Sequence, residues 1–326
     1  MTANIASIID VITAHNSFVI SSHARPDGDS VGSQLALAQA LRALGKHSRI
    51  VNHDAPPSSL ASLPDIDSIE VSDTATGCDS NVAFILECNS LQRTEVDGLD
   101  RDIIVNIDHH AGNEMYGTHN WHDETAAACA EQVYTLIQEL GVSISYGIGS
   151  ALYAGILTDT GSFRHANITE RTFKICQKVT AAGVNVAELA ADIYNNSSIG
   201  KIKLTGTLLE NIRFKADDRI AILYLDDELL ARTNCPQDDV DGLINIPLTA
   251  MAVKAVVMIK PQPALTRVSL RSKATLDVRA IAASFGGGGH RNAAGFSTSS
   301  AADDIEKQIV SQLQKALDGT PEKSTV

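Results

Sequence analysis

The apolar positions in the first half of the chain switch between two periods. Ile5 to Ala14 spaces them as a helix does, and Ser17 to Ser21 (SFVIS) is a short run suited to a buried strand. Asp29 to Leu44 returns to the helical period and stops at Gly45, and Ser48 to Asn52 is a second strand. Asn81 to Leu86 (NVAFIL) and Asp102 to Ile107 (DIIVNI) are β-branched enough to be interior strands. Helices are predicted over Thr125 to Leu140, Gly147 to Leu157 and Thr169 to Ala181, the last ended by Gly183. Strands alternating with helices imply an α/β fold with a doubly wound, mainly parallel sheet wrapped on both faces.

Beyond Gly183 the texture changes. Val186 to Tyr194 and Lys201 to Phe214 read as helices joined by the polar turn Asn195-Asn196-Ser197-Ser198. Strand-like runs follow at Ile220 to Leu225, Ala252 to Ile259 and Thr266 to Arg271, and a helix from Val278 to Phe285 runs into Gly286-Gly287-Gly288-Gly289-His290. The expected organisation is one domain over 1–184, a helical connector over 185–215, a second, smaller α/β domain over 216–318 and a tail over 319–326.

Composition narrows the setting. The 326 residues are enough for two domains, and 44% apolar with 20% charged is a globular balance. Met1 to Asn16 lacks a basic start, an unbroken apolar run and a cleavage site. No later segment has the roughly eighteen uncharged apolar residues of a bilayer span, so no membrane partner is expected. Five scattered cysteines (Cys78, Cys88, Cys129, Cys176, Cys235) with no C-x-x-C pair favour a reducing cytoplasm over a disulfide framework or zinc knuckle. A net charge of −13 disfavours a grip on long duplex nucleic acid. The charge is uneven, however. Lys254 to Arg291 holds seven basic residues (Lys254, Lys260, Arg267, Arg271, Lys273, Arg279, Arg291) against the single acid Asp277. That suits a small phosphorylated ligand, although a solvated basic face accounts for the charge equally well.

Acids and imidazoles gather where strands end. SFVIS runs into His23, Asp27 and Asp29 in the frame H-x-x-x-D-x-D, with Gly28 freeing the turn and Asp29 placed to cap the next helix. NVAFIL ends in Glu87, DIIVNI in Asp108-His109-His110, and the helix through Leu157 in Thr158-Asp159. Each alone has an ordinary structural explanation, as a capped turn, a loop carboxylate or a surface pair. In a doubly wound sheet, however, these ends converge on one crevice. Mixed carboxylate and imidazole donors without thiolate favour manganese, iron or cobalt, and bridging carboxylates would set two ions about 4 Å apart. Such a pair suits hydrolysis at phosphorus. His15, His47, His53, His119, His122 and His165 read as surface or core histidines. The tetraglycine offers consecutive backbone N–H groups as a concave anion seat, and it does not match an ATP-binding P-loop. Arg271, at a strand end, is placed for a bidentate grip on phosphate.

Together these motifs resemble the DHH/DHH-associated-domain phosphoesterases. SHARPDGDS, the strand end at Glu87, IDHH at Ile107 to His110 and GILTDTGSFR at Gly155 to Arg164 follow the family's order. RSK at Arg271 and FGGGGHRNAAGF at Phe285 match its associated domain. The likeness is strongest to the bacterial nanoRNase/pAp phosphatase (NrnA-type) group. That implies a DHH catalytic domain facing a DHH-associated substrate-binding domain across a cleft. It also implies cleavage of two-to-four-nucleotide RNAs to mononucleotides and dephosphorylation of 3′-phosphoadenosine 5′-phosphate (pAp) to AMP. Two Mn²⁺ would serve, with Mg²⁺ or Co²⁺ as substitutes. His23 and Asp27 would hold one ion and Asp29, His109 and Asp159 the other, with Glu87 bridging. Asp108 would orient His109, and His110 would meet the scissile phosphate. Arg271, Ser272, Gly288, Gly289 and His290 would hold the substrate's far phosphate or base. The family usually has Asp where this chain has Glu87, which puts the ion spacing in question. Linear dinucleotides (pApA, pGpG) and pyrophosphate stay open as substrates, as do a homodimer and a nucleotide-binding regulator without turnover.

Overall fold

The computed structural model describes residues 2–319 apart from 78, 237, 238 and 241; the side chains of residues 2–4 and of His290 are also outside the description. The chain forms two compact units, residues 1–196 and 197–326.

The first unit is built on six parallel strands. They are β1 (Ser17–Ser21), β2 (His47–Asn52), β3 (Ile69–Val71), β4 (Val82–Leu86), β5 (Ile103–Asp108) and β6 (His119–His122), in the order β3-β2-β1-β4-β5-β6. The order reverses at β1, which pairs with both β2 and β4. Crevices in open α/β sheets form at such reversals, beyond the carboxyl ends of the strands. Side chains alternate between the two faces. Phe18, Ile20, Phe84, Leu86, Val105 and Ile107 enter the larger core. Six helices contribute to it: α1 (Thr2–Ala14), α2 (Gly28–Ala43), α3 (Cys129–Glu139), α4 (Tyr146–Asp159), α5 (Glu170–Ala181) and α6 (Val186–Tyr194). Val19, Ala83 and Ile85 enter a smaller core closed by Ala75, Cys88, Val96 and Leu99, which lie in turns and irregular segments. The second face is thus covered without α-helices, where helices were expected on both. The strands β3 and β6 escaped the sequence reading because they are three and four residues long, too short for a period to register. Helix α3 begins at Cys129 rather than Thr125, because residues 123–128 spend their hydrogen bonds on turns.

Helices α2 and α4 meet at glycines. A Cβ on Gly32 would stand 2.3 Å from Ala151 O, one on Gly155 2.7 Å from Asp29 Oδ1, and one on Gly28 2.4 Å from Thr158 Oγ1. Hence the N-terminus of α2 lies against the C-terminus of α4, and Asp29 and Asp159 come together.

The second unit contains α7 (Ile199–Glu210), β7 (Arg213–Lys215), β8 (Ile220–Tyr224), α8 (Asp227–Thr233), β9 (Ala255–Pro261), β10 (Thr266–Ser272), α9 (Val278–Ser284), β11 (Gly288–His290), β12 (Ala293–Thr298) and α10 (Ala302–Asp318). Its sheet runs β11-β12-β10-β9-β8-β7, antiparallel except for β8 with β9. Helices α9 and α10 cover one face, and α7 with residues 243–249 covers the other. The helix expected to reach Phe214 stops at Glu210, and Arg213–Lys215 pairs with β8 instead. Of the segment 185–215, α6 falls in the first unit and α7 in the second.

Gly32→Ala is expected to destabilise the protein by about 1–3 kcal/mol, because Ala151 O is backbone and cannot yield. Gly206→Ala, exposed within α7 and with nothing within 4 Å of the added methyl, is expected to stabilise by about 0.5–1 kcal/mol. Thermal melts of the two variants check the contrast, and equal shifts would contradict the packing argument.

Candidate metal centre

Strand β1 ends at Ser21, and the chain turns through His23 to Asp27 before α2 begins. Asp27, not Asp29, caps that helix. Its backbone is extended, its Oδ1 accepts the N–H groups of Asp29 (3.2 Å) and Ser30 (3.0 Å), and Ser30 Oγ accepts the Asp27 N–H (2.9 Å). Asp27 Oδ2 is left facing His23 Nε2 at 3.9 Å. The His23 Nδ1–H is directed at Ala24 O (2.9 Å), which leaves Nε2 as that ring's free donor atom.

Asp29 occupies the first turn of α2 and is buried. It reaches across to α3, accepting the N–H of Cys129 on Oδ2 (2.6 Å) and that of Ala130 on Oδ1 (3.0 Å), with Ser33 Oγ at 3.2 Å. Helix α3 has no capping side chain of its own, so a carboxylate from another helix serves its amino end.

His109 is the centre of the cluster. Its Nε2 lies 3.3 Å from Glu87 Oε1, 3.6 Å from Asp159 Oδ2 and 3.9 Å from Asp29 Oδ2, while Nδ1 is bonded to Ala126 O at 3.0 Å. Two triads share it, Glu87–His109–His110 and Asp29–His109–Asp159, each with donor atoms within 4.8 Å of one another. His23 and Asp27 form their own pair beside these triads. Glu87 is fully buried and holds a left-handed backbone (φ 55°) where β4 ends, an unusual conformation for a non-glycine residue. Its Oε2 is buried without a hydrogen-bond partner.

Asp108 orients His110 rather than His109. Its Oδ1 accepts from the His110 Nδ1–H (2.9 Å) and backbone N–H (3.2 Å), a short turn in which an aspartate side chain reaches the residue two positions on. Asn113 steadies Asp108 from the other side, donating to Oδ2 at 2.6 Å. His109 takes its orientation from Ala126 O instead.

The electrostatics follow from burial. Burial and the Asp29 charge push Glu87 up to about 8, against the lowering effect of His109 and His110. Burial and Asp29 likewise push Asp159 up to about 7, and burial raises Asp29. Burial opposes charge on His109, but its hydrogen bond to Glu87 and the charges of Glu87, Asp29 and Asp159 outweigh that and carry it to about 11. His110 rises to about 9 because Asp108 and Glu87 overcome the same burial. Burial would raise Asp108, yet hydrogen bonds from His110 and Asn113 hold it below its usual value.

Several contributors carried no sequence signal. Asn113, Ala126 and the N–H groups of Cys129 and Ala130 act through tertiary contact. His122 Nε2 meets His110 O (2.8 Å) and His165 Nδ1 meets Asp159 O (3.1 Å), so two histidines read as bystanders brace the site's backbone.

In the second unit, Arg271 on β10 pairs in register with Ala293 on β12, which pairs in turn with His290 on β11. Residues 271 and 290 therefore share one row across three strands; the His290 side chain is outside the described residues. Arg271 Nη1 bonds Leu270 O (3.0 Å). Ser272 is buried, its hydroxyl donating to Leu276 O (2.7 Å) and accepting from Asn292 (2.8 Å). The tetraglycine is not a concave run of free N–H groups. The Gly286 and Gly287 N–H groups bond Ala283 O and Ala282 O at the end of α9, and Gly288 and Gly289 belong to β11, paired with Gly295 and Ala294. A Cβ on Gly287 would meet Gly295 O at 2.2 Å, and one on Gly289 would meet Ala293 O at 2.5 Å. Gly287 and Gly289 therefore serve close packing. Ala293-Ala294-Gly295 is the start of β12.

Comparison with known proteins agrees with this architecture. The model of the DHH family, N-terminal domain, matches residues 17–156, and that of the DHHA1 domain matches residues 217–318. The bifunctional oligoribonuclease and PAP phosphatase NrnA of Thermus thermophilus is 34% identical over 277 residues, covering 85% of this chain and 82% of its own. An exopolyphosphatase-related protein from Bacteroides fragilis superposes with a TM-score of 0.91 at 25% identity, over 98% of both chains. RecJ from Thermus thermophilus in complex with Mn²⁺ shares the fold at a TM-score of 0.55 and 12% identity, over 98% of this chain and 55% of its own. With both domain models matched in order and a relative of this similarity aligned over most of both chains, the protein belongs to the DHH phosphoesterase family, a DHH domain followed by a DHHA1 domain.

Proposed function

We propose that the protein hydrolyses very short oligoribonucleotides to mononucleotides and pAp to AMP, with two Mn²⁺ held by His23, Asp27, Asp29, Glu87, His109 and Asp159. The reading is carried by His109 Nε2, which faces three carboxylates while Glu87 Oε2 lies buried without a partner. That donor set, oxygen-rich with imidazole and no thiolate, fits manganese. The activities named for the Thermus relative supply the substrate class.

When bound, divalent ions acidify water and draw electron density from a phosphoryl group. The chain's own residues do the rest. Asp108 holds His110 by Nδ1, and His110 would serve through Nε2 as a proton donor to a phosphoryl oxygen. The Ala126 carbonyl fixes His109 with Nε2 toward the carboxylates. Arg271, Ser272, Gly288, Gly289 and His290 are proposed to receive the far phosphate or base, within the segment that carries the excess of basic charge. A body of net charge −13 penalises a long polyanion. No helix among the described residues is long and apolar enough to cross a membrane, and the scattered cysteines suit a cytosolic setting.

Four outcomes are expected. Chelation should abolish turnover and Mn²⁺ should restore it better than Mg²⁺; full turnover after exhaustive chelation would contradict the metal reading. Asp29→Ala, Asp159→Ala and His109→Ala should each lower kcat by orders of magnitude. Glu87→Gln should be nearly inactive, while Glu87→Asp, which keeps the charge and tolerates the left-handed backbone, should retain substantial activity. Normal turnover with Glu87→Gln would remove that residue from the site.

Mn²⁺ affinity is expected to rise with pH. A proton on His109 (about 11), Glu87 (about 8) or Asp159 (about 7) competes with the ion, so the competition weakens as pH increases. If binding displaces one proton, affinity gains about tenfold per unit between about pH 7 and 9. Calorimetry in buffers of different ionisation enthalpy measures the released protons, and a flat profile would refute it.

Arg271→Ala is expected to raise KM for pAp and dinucleotides with metal content unchanged. The loss of roughly 1.5–3 kcal/mol is that of a charged hydrogen bond. Kinetics on pAp, pyrophosphate and a ladder of RNAs from dinucleotide upward decide it. Equal efficiency along the ladder, or loss of metal in the variant, would show the second unit's residues to be misassigned.

A further inference from the structure

Two of the metal-centre residues, His109 and Asp29, are held by backbone atoms of one short segment, and that segment is held by an ionic network, buried at its carboxylates and half-exposed at Arg171, to which no ligand role falls. Residues 123–130 lead from β6 into α3. Their Ala126 carbonyl takes His109 Nδ1 at 3.0 Å, and their Cys129 and Ala130 N–H groups meet Asp29 at 2.6 and 3.0 Å. Nothing in the local sequence AAACA dictates this course, and α3 lacks a side-chain cap where it starts.

What fixes the segment comes from the opposite side. Glu131 is fully buried, and its carboxylate accepts from Arg171 Nε (2.7 Å), Thr172 Oγ1 (2.5 Å) and the Ala127 N–H (3.1 Å). The same guanidinium donates through Nη1 to Asp123 Oδ2 (2.9 Å). Asp123 Oδ1 in turn holds Thr125 by its N–H (3.0 Å) and hydroxyl (2.6 Å), and Asn167 Nδ2 holds Ala127 O (2.9 Å). One arginine of α5 thus ties both ends of the segment, with Ala126 between them.

We infer that Arg171 and Glu131 are positioning residues for the metal centre. Their bridge sets the backbone that selects the His109 tautomer and aims two N–H groups at Asp29. The inference rests on the metal reading proposed above. A planar fork that meets two carboxylates suits this task as an ammonium does not. Stability alone does not call for it, since a buried ion pair is often matched or bettered by apolar residues of similar volume. Groups that orient metal-ligating imidazoles this way typically change metal affinity by 10–100-fold when removed.

The test is Mn²⁺ binding by calorimetry on the full chain, for wild type, Arg171→Lys and the double variant Glu131→Gln/Arg171→Met, which removes both charges of the Arg171–Glu131 pair and leaves Asp123 its hydrogen bonds from Thr125. The double variant should melt cooperatively and bind Mn²⁺ about 10–100-fold more weakly, with Arg171→Lys between it and wild type. Excess Mn²⁺ should bring kcat back toward wild type with KM for pAp unmoved, a pattern that a general loosening of the fold does not give. Arg171→Lys keeps the charge beside both carboxylates, and decides the matter if the double variant does not fold. Folded variants that bind Mn²⁺ as wild type does would overturn the clamp alone. A wild-type protein that binds no divalent ion would overturn the metal reading and the clamp with it.

Discussion

Three carboxylates, from Asp29, Glu87 and Asp159, crowd around His109 Nε2 with two of them fully buried, and much of the first unit exists to make that crowding tolerable. Burial first, and then repulsion from the Asp29 charge, favours protonation of Glu87 and Asp159, while the attraction of the same carboxylates makes His109 hold its proton tightly. The fold offsets part of the cost by lending Asp29 the amino end of α3. Both of its oxygens accept backbone N–H groups, and the helix dipole has the favourable sign. The remaining imbalance has a chemical meaning. A buried Glu87 oxygen without a hydrogen-bond partner, set among acids and imidazoles, is matched to a cation.

That constraint explains features that look unrelated. Gly32 and Gly155 are small so that α2 and α4 can approach closely enough for Asp29 and Asp159 to share one imidazole. Glu87 accepts a left-handed backbone, and Ser162 and Phe163 do so just past Asp159. Such conformations cost about 1–3 kcal/mol each and persist where surrounding contacts over-determine them, often at functional sites. The reversal of strand order at β1 places His23, Asp27, Asp29, Glu87, Asp108, His109 and His110 at neighbouring strand ends.

The second unit follows a different logic. Its glycine-rich stretch is an edge strand whose absent side chains let β11 lie close against β12, and its row from Arg271 to His290 is set by strand register. In the function proposed above, a catalytic cluster built from acids and a basic segment built on a separate sheet would divide the work between chemistry and recognition of a phosphorylated ligand.

The chain's own pattern determined the parallel sheet, most of its helices, and the identity of the acids and imidazoles at the element ends. Period and motif are local properties, and His23, Asp27, Asp29, Glu87, His109, His110 and Asp159 stand at positions where period breaks. What local pattern could not determine was which partner each would take. That Asp27 and not Asp29 caps α2, and that Asp108 serves His110 and not His109, turns on side-chain direction and turn geometry rather than on spacing. The tetraglycine read as a concave anion seat because glycine freedom and glycine packing leave the same trace in a sequence, and only the nearness of β12 separates them. Asn113, Glu131 and Arg171 gave no signal at all, since a polar residue gains such a role only when folding sets it beside the group it holds.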